Sequence, residues 1–332
     1  MKTSKLLALL STLALSSTFA AETDPVGYVS VAVPANSDVA LGAPLGRPTE
    51  FQGVIQSISG STITVSGTPG WTANQFVYAS GTQSKTYFLR VDSGSKEGLI
   101  LPIVSNGVSE LTVTIPAEEN LTGINTVAAD GSGEQVSIAP YWTVGTLFSG
   151  AIAGTQMLVT QGNVAGINLP STTYTYNGTN WLRGATPAND DILLVGQGVT
   201  VRNNNTTTPL TLAITGAVPM TAHRMRLATL AGNTRQDIRI FYNSPVPEVI
   251  GNAFNANALL PGDQLLYVDN SASGKNKPAT TLVWNGTNWL QGATPVTTTF
   301  TLQPGHSYIF RKNQTGGAPS SVTWSDLQSY LQ

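Results

Sequence analysis

Asn177-Gly-Thr-Asn-Trp-Leu-Arg-Gly-Ala-Thr-Pro187 returns 108 positions later as Asn285-Gly-Thr-Asn-Trp-Leu-Gln-Gly-Ala-Thr-Pro295, with ten of eleven residues identical. Chance does not produce such a match, so the second half of the chain reads as a duplicated module. Asn-Gly between β-rich runs predicts a two-residue type I′ hairpin, whose central residues both need φ > 0. The match spreads outward at the same offset. Gly154-Thr-Gln-Met-Leu158 aligns with Gly262-Asp-Gln-Leu-Leu266, Pro170 with Pro278, and Thr172-Thr173 with Thr280-Thr281. After a one-residue slip, Gly196 to Arg202 aligns with Gly305 to Arg311.

A weaker echo precedes each copy. Tyr28 to Leu41, followed by Pro44, resembles Arg226 to Ile240, followed by Pro245. The first module therefore begins near residue 26, is interrupted, and resumes near Ser137. The interruption holds its own strand-like runs at Gly53–Ile58, Ser61–Ser66, Gln75–Ala79, Tyr87–Val91, Gly98–Val104 and Glu110–Ile115. These are enough to close a small barrel without exposed edges. The expected fold is all-β: two homologous antiparallel β-sandwich modules with a small β-barrel inserted in the first. The expected boundaries are residues 21–50 plus 124–217 for the first sandwich, 51–123 for the barrel and 218–324 for the second sandwich. Ser325 is expected to cap a short C-terminal helix within 325–332.

Residues 1–20 read as a signal peptide. Lys2 and Lys5 are followed by the apolar run Leu6–Leu15 and the small-residue site Thr18-Phe19-Ala20. No later stretch is long and apolar enough for a transmembrane helix, and no lipobox cysteine follows the leader. The mature chain is expected to be exported to the periplasm, the cell surface or the medium. It has no cysteine, so the fold rests on its cores rather than on disulfides. Only 10% of residues are charged, against about 25% in an average domain, and the net charge is −2. No basic run invites nucleic acid.

Candidate chemistry is sparse. The two histidines, His223 and His306, lack a nucleophile motif beside them, and no Gly-x-Ser-x-Gly elbow occurs. Asp130 and Glu134 offer a weak Ca²⁺ loop; Asp190-Asp191 is a second acidic pair, replaced by Thr298-Thr299 in the other copy. Ser273-Gly-Lys-Asn-Lys277 lacks the first glycine and the Mg²⁺-binding hydroxyl of a P-loop. No cofactor is expected. The aromatic residues Trp181 and Trp289, with Tyr176 and Trp284 across the hairpin, have two readings. Exposed, they stack on a sugar ring; buried, they anchor the sandwich cores, which is the preferred reading.

Pro25-Val-Gly-Tyr28, the Gly53–Trp71 stretch and the closing Thr323-Trp-Ser-Asp-Leu-Gln-Ser-Tyr330 together resemble a family of secreted proteins that occurs as multiple paralogues in bacteria of the Verrucomicrobia group. The resemblance spans the mature chain and implies export and a β-rich fold. It carries no activity, ligand or site residue. The expected function is that of an exported structural or surface-assembly protein without catalytic activity, with itself as partner. One assembly route is donation of the strand Glu22–Val33 to a neighbour. The alternatives are a carbohydrate-binding or adhesive module, with polysaccharide as partner, and, behind it, a hydrolase.

Overall fold

A computed structural model of the chain describes residues 24–117, 119–128, 131–314, 316 and 318–332. The fold is nearly all β and contains a closed six-stranded barrel. Strands β1 (Val26–Val33) and β2 (Ser37–Leu41) come first. The barrel follows as β3 (Phe51–Ser59), β4 (Thr62–Val65), β5 (Tyr87–Val91), β6 (Ile100–Asn106), β7 (Glu110–Val113) and β8 (Gln135–Pro140). The first module then continues through β9 (Trp142–Thr143), β10 (Gln156–Thr160), β11 (Ser171–Tyr176), β12 (Trp181–Arg183), β13 (Thr186–Pro187), β14 (Ile192–Leu193), β15 (Val199–Asn203) and β16 (Leu210–Ala217). The second module holds β17 (His223–Ala228), β18 (Gln236–Phe241), β19 (Glu248–Val249), the single-turn helix α1 (Ile250–Ala253), β20 (Gln264–Tyr267), β21 (Thr280–Trp284), β22 (Trp289–Gln291), β23 (Thr294–Pro295), β24 (Thr301–Leu302), β25 (Ser307–Lys312) and β26 (Ser321–Asp326).

The two modules have the same topology. The first has a six-stranded sheet in the order β13-β12-β11-β10-β15-β2, a ribbon β1-β16 and a small pair β9-β14. The second repeats it as β23-β22-β21-β20-β25-β18, with β17-β26 and β19-β24. The layer opposing each sheet is a two-stranded ribbon rather than a second full sheet. In β1, alternation turns Val31 and Val33 inward while Tyr28, Ser30 and Ala32 face solvent. The inward pair joins Leu212 and Ile214 of β16 in one core with Val39, Met157, Trp181 and Val201 of the sheet. All eight residues of β1 pair with β16 of the same chain, so the strand proposed for donation already has a partner.

The barrel is nested in the first module, because β1 and β2 pair with β16 and β15, which follow it. Its inward residues, among them Ile55, Ile63, Leu89, Leu101, Leu111, Val136 and Ile138, form a separate core. Register shifts at Ile55/Ser57 and Ile103/Ser105 bend β3 and β6 and help the sheet to close.

Three expectations change. The barrel closes through β8, beyond residue 123, because β8 bridges β3 and β5. Five of its six residues are buried, so it reads as a continuous run rather than an alternating strand. Residues 75–79 form turns, with only an isolated Ala79–Gln83 bridge. At the C-terminus, Ser325 and Asp326 continue β26 against β17, and helical structure is limited to a 3₁₀ turn at Ser329–Leu331. Trp324 drives this, since it is fully buried and its Nε1 donates to the Ala253 carbonyl at 2.6 Å.

Candidate functional site

The repeated phrase builds a three-stranded meander in each module. Tyr176 pairs with Trp181, and Trp284 with Trp289, across four-residue loops rather than two-residue turns. In the first loop only Gly178 has positive φ (101°). Asn177 instead folds its side chain over the turn, its Oδ1 accepting from the backbone N–H of Thr179 and Asn180 at 2.9 and 2.8 Å. Asn285 does the same for Thr287 and Asn288 at 2.9 and 2.7 Å. The tight two-residue turn comes next, with Gly184 and Gly292 at φ 63° and 62°.

The aromatic pairs are core residues. Trp181, Trp284 and Trp289 are 4%, 6% and 0% exposed. Trp181 packs against Phe148 and Tyr176 with ring centroids at 5.8 and 5.3 Å. Trp289 packs against Phe254 and Trp284, both at 5.7 Å. Tyr176 is half-buried and donates its hydroxyl to the Gly178 carbonyl at 3.0 Å. A sugar ring cannot reach faces already covered by protein, so the stacking role expected as an alternative is corrected for the three tryptophans, and half-buried Tyr176 is packed against Trp181. Strand alternation places them on the side of the sheet that the ribbon and connecting loops cover.

The polar candidates do not gather into one site. Glu134 is 4% exposed; its Oε1 accepts from Asn125 Nδ2 at 3.3 Å and its Oε2 has no partner. Asp130, its expected companion, lies outside the described residues. Among the described residues no group of three or more His, Cys, Asp or Glu could hold a metal. His223 is buried against Trp324 and Tyr242, with ring centroids at 4.2 and 5.9 Å, and burial lowers its pKa to about 4. His306, also lowered by burial, forms an isolated bridge to Leu41 of the other module. Asp191 accepts from the Tyr174 hydroxyl at 3.0 Å and pairs with Arg183 at 3.1 Å.

The segment that superficially resembles a P-loop clamps the two modules together. Asp38 on β2 receives Arg202 of β15 through Nε and Nη2, at 2.7 and 2.8 Å. Asn276 donates its backbone N–H to the same carboxylate at 2.9 Å and accepts from Arg202 at 2.8 Å. The Gly274 carbonyl accepts from the Asp38 backbone at 3.0 Å. The arrangement recurs with the modules exchanged. Asp237 on β18 receives Arg311 of β25 at 2.7 and 3.0 Å. Asn168 of the first module donates its N–H at 2.8 Å, and the Gly166 carbonyl accepts from the Asp237 backbone at 2.9 Å. Asn168 and Asn276 both adopt positive φ, 54° and 51°, which asparagine tolerates better than other residues with a Cβ. Burial alone would raise the Asp38 pKa, but hydrogen bonds from Arg202 and Asn276 outweigh it and hold the carboxyl below its ordinary range.

Backbone contacts follow the same exchange. Gly42 N–H donates to the Gly305 carbonyl at 3.0 Å and Phe241 N–H to the Gly196 carbonyl at 3.2 Å. The interface therefore has the self-complementary pattern of a two-fold dimer, contained in one chain. The barrel is fastened separately to the second module. Glu119, almost buried, receives Arg224 at 3.1 Å, Arg226 at 3.4 Å and Lys96 at 3.6 Å. Glu97 accepts from the Ala222 backbone at 2.7 Å.

Sequence reasoning missed Asp38, Asp237 and Glu119. A signal for the clamp existed: Gly166-x-Asn168 and Gly274-x-Asn276 keep the 108-residue offset. Glu119 has no counterpart elsewhere in the chain to mark it. No protein-family model, curated protein or solved structure matches the chain.

Proposed function

We propose that the protein is an exported structural component of the cell surface or its surrounding matrix, without catalytic activity. The reciprocal clamp is the observation that carries this reading. Asp38–Arg202–Asn276 and Asp237–Arg311–Asn168 join the modules through buried charge, while Glu119 ties the barrel back to the second module. Three bodies fastened at two independent places suit a rigid spacer. A hinged enzyme would need a freer interface between domains.

The edges support assembly through faces rather than through strand exchange. One edge of each six-stranded sheet is occupied by the other module's loop. The opposite edge is the two-residue strand β13 or β23, ending in Pro187 or Pro295, which have no N–H to donate to an added strand. The weakly charged surface reduces the repulsion between copies that a high net charge would impose. The leader-like residues 1–20, which lie outside the described residues, and the resemblance to a secreted family support export.

The test is light scattering with negative-stain microscopy of residues 21–332 over a concentration series. Ordered sheets or filaments are expected. A monodisperse monomer at every concentration would overturn the assembly reading.

A further inference from the structure

Between β4 and β5, residues 66–86 cross the mouth of the barrel without regular secondary structure beyond the Ala79–Gln83 bridge. Loops of this length inside a compact domain are uncommon and are usually functional or disordered. This one is fastened from beneath. Phe51, Trp71, Phe76 and Tyr87 stack edge-to-face in a ladder with centroids at 4.8, 5.2 and 5.3 Å. Asn106, buried at the end of β6, accepts from the Phe76 N–H at 2.9 Å and donates to the Thr72 carbonyl at 2.9 Å. Its own carbonyl accepts from the Asn74 N–H at 2.9 Å. The loop is thus shaped before any ligand arrives, which lowers the entropy cost of binding.

The upper side of the loop forms a groove of about 780 Å³. A second cavity of about 290 Å³ opens beside it, against Asp190 and Ile192 of the first module, and Tyr78 borders both. Tyr78 is 42% exposed, whereas Trp71, Phe76 and Tyr87 of the ladder are buried. The lining of the larger groove contains no Asp, Glu, Lys, Arg or His; its polar side chains are the amides of Asn74, Gln75 and Gln83 and the hydroxyls of Thr72, Tyr78, Thr82 and Ser105. The side chains of Asn74 and Ser105 have no hydrogen-bond partner among the described residues, nor does the exposed Asp190 carboxylate in the neighbouring cavity.

We propose that this groove binds a neutral polysaccharide, with the ring of Tyr78 as its stacking platform. A pyranose presents an apolar C–H face to an aromatic ring and a rim of hydroxyls that both donate and accept. The Asn74 amide and the Ser105 hydroxyl satisfy such a rim, whereas the Gln75 and Gln83 amides already hold the loop in shape, and the Asp190 carboxylate accepts from hydroxyls further along the chain. An anionic glycan would find no cation in the larger groove. The inference goes beyond the structural role and does not depend on self-assembly: binding is read on dispersed protein, whereas assembly is read by scattering.

The experiment is affinity electrophoresis of residues 21–332 in native gels containing dextran, a β-1,3-glucan, a galactomannan or, as the anionic case, alginate. Retardation by at least one neutral polysaccharide, unchanged by added salt, is expected. Tyr78→Ala should weaken it about tenfold, the scale of one lost aromatic stack. Tyr78→Phe should preserve it, as should Tyr28→Ala on the outer face of β1. No retardation by any neutral polysaccharide, retardation by alginate alone, or equal retardation of Tyr78→Ala and the parent would each overturn the proposal.

Discussion

The same buried corner is stabilised differently in the two modules. In the second, Lys312 at the end of β25 reaches Asp263 at 2.7 Å, and both side chains are 0% exposed. In the first, the equivalent positions are Asn203 and Thr155, both buried and neutral. The local duties nevertheless match. Thr155 Oγ1 accepts from the Ile152 N–H at 3.2 Å, and Asp263 Oδ2 accepts from the Leu260 N–H at 2.8 Å, so each caps the turn entering its strand. Asn203 satisfies the Thr208 and Pro34 carbonyls at 2.8 and 3.2 Å, while Lys312 donates to the Ala258 carbonyl at 3.2 Å. The turn before the strand demands the same capping hydrogen bond in both modules and receives it from different side chains, while Asn203 and Lys312 serve carbonyls at different places.

The largest expected effect comes from breaking the ionic version. Asp263→Thr or Lys312→Asn alone leaves a charge in the core without its partner, which should cost about 3–5 kcal/mol in denaturant unfolding. The double variant installs the first module's neutral pair and should recover much of that loss. A double variant as damaging as the sum of the singles would mean that the two corners are not interchangeable.

The clamp comes next. Asp38→Ala and Asp237→Ala each strand an arginine and remove a hydrogen bond from the opposite loop, so losses of about 2–3 kcal/mol are expected, similar for the two sites. The loop asparagines sharpen the comparison. Arg202 meets Asn276 at 2.8 Å, whereas Arg311 meets Asn168 at 3.4 Å. Asn276→Ala should therefore destabilise more than Asn168→Ala, and the reverse order would contradict this geometry.

Much of the fold was legible because two stretches of similar sequence, which take the same strand order, supply an internal comparison. Identity at a fixed offset marked β10–β15 and β20–β25, and the echo at Tyr28–Leu41 placed β1 and β2 in the first module across the intervening barrel. β8 was illegible because burial on both faces removes the period-two signal. The Gln75–Ala79 run looked like a strand, but its one large buried residue, Phe76, serves the ladder under the loop rather than a sheet. The aromatic positions were found, but whether they faced the core or solvent depended on packing partners such as Phe148 and Phe254, which lie far from them in sequence.

The ribbons differ in their response to acid. β1 and β16 contain no Asp, Glu or His, whereas His223 and Asp326 face each other across β17 and β26. Burial lowers the His223 pKa to about 4, so its contribution to stability grows as pH rises from there toward the unfolded value of about 6.5. Burial, opposed by a hydrogen bond from Tyr242 and reinforced by nearby Glu248, raises the Asp326 pKa to about 6. Its contribution is full below the unfolded value and is lost as pH rises through about 6. The two slopes oppose each other between about pH 4 and 6. Thermal melts should show Asp326→Asn gaining stability with rising pH across this window relative to the parent and His223→Phe losing it, by about 2 kcal/mol for the fully buried histidine and by less for the partly solvated carboxylate. Parallel slopes for the two variants would refute the opposition.

The smallest effect tests the repeated phrase itself. The Trp181 N–H donates to Asn189 Oδ1 at 2.8 Å, and the Trp289 N–H donates to Thr297 Oγ1, also at 2.8 Å. Each acceptor is braced by the asparagine before the tryptophan: Asn189 donates to Asn180 Oδ1 at 2.7 Å and Thr297 to Asn288 Oδ1 at 3.3 Å. Different side chains thus meet one backbone demand eight residues downstream. Asn189→Thr should shift stability by no more than about 0.5 kcal/mol, because the second module already uses that solution. Thr297→Val keeps the volume but leaves the Trp289 N–H without an acceptor, and should cost about 1–2 kcal/mol. If Asn189→Thr proved the more damaging change, the two loops would not share a common frame, and their ten identical residues would have to be explained by something other than the backbone they build.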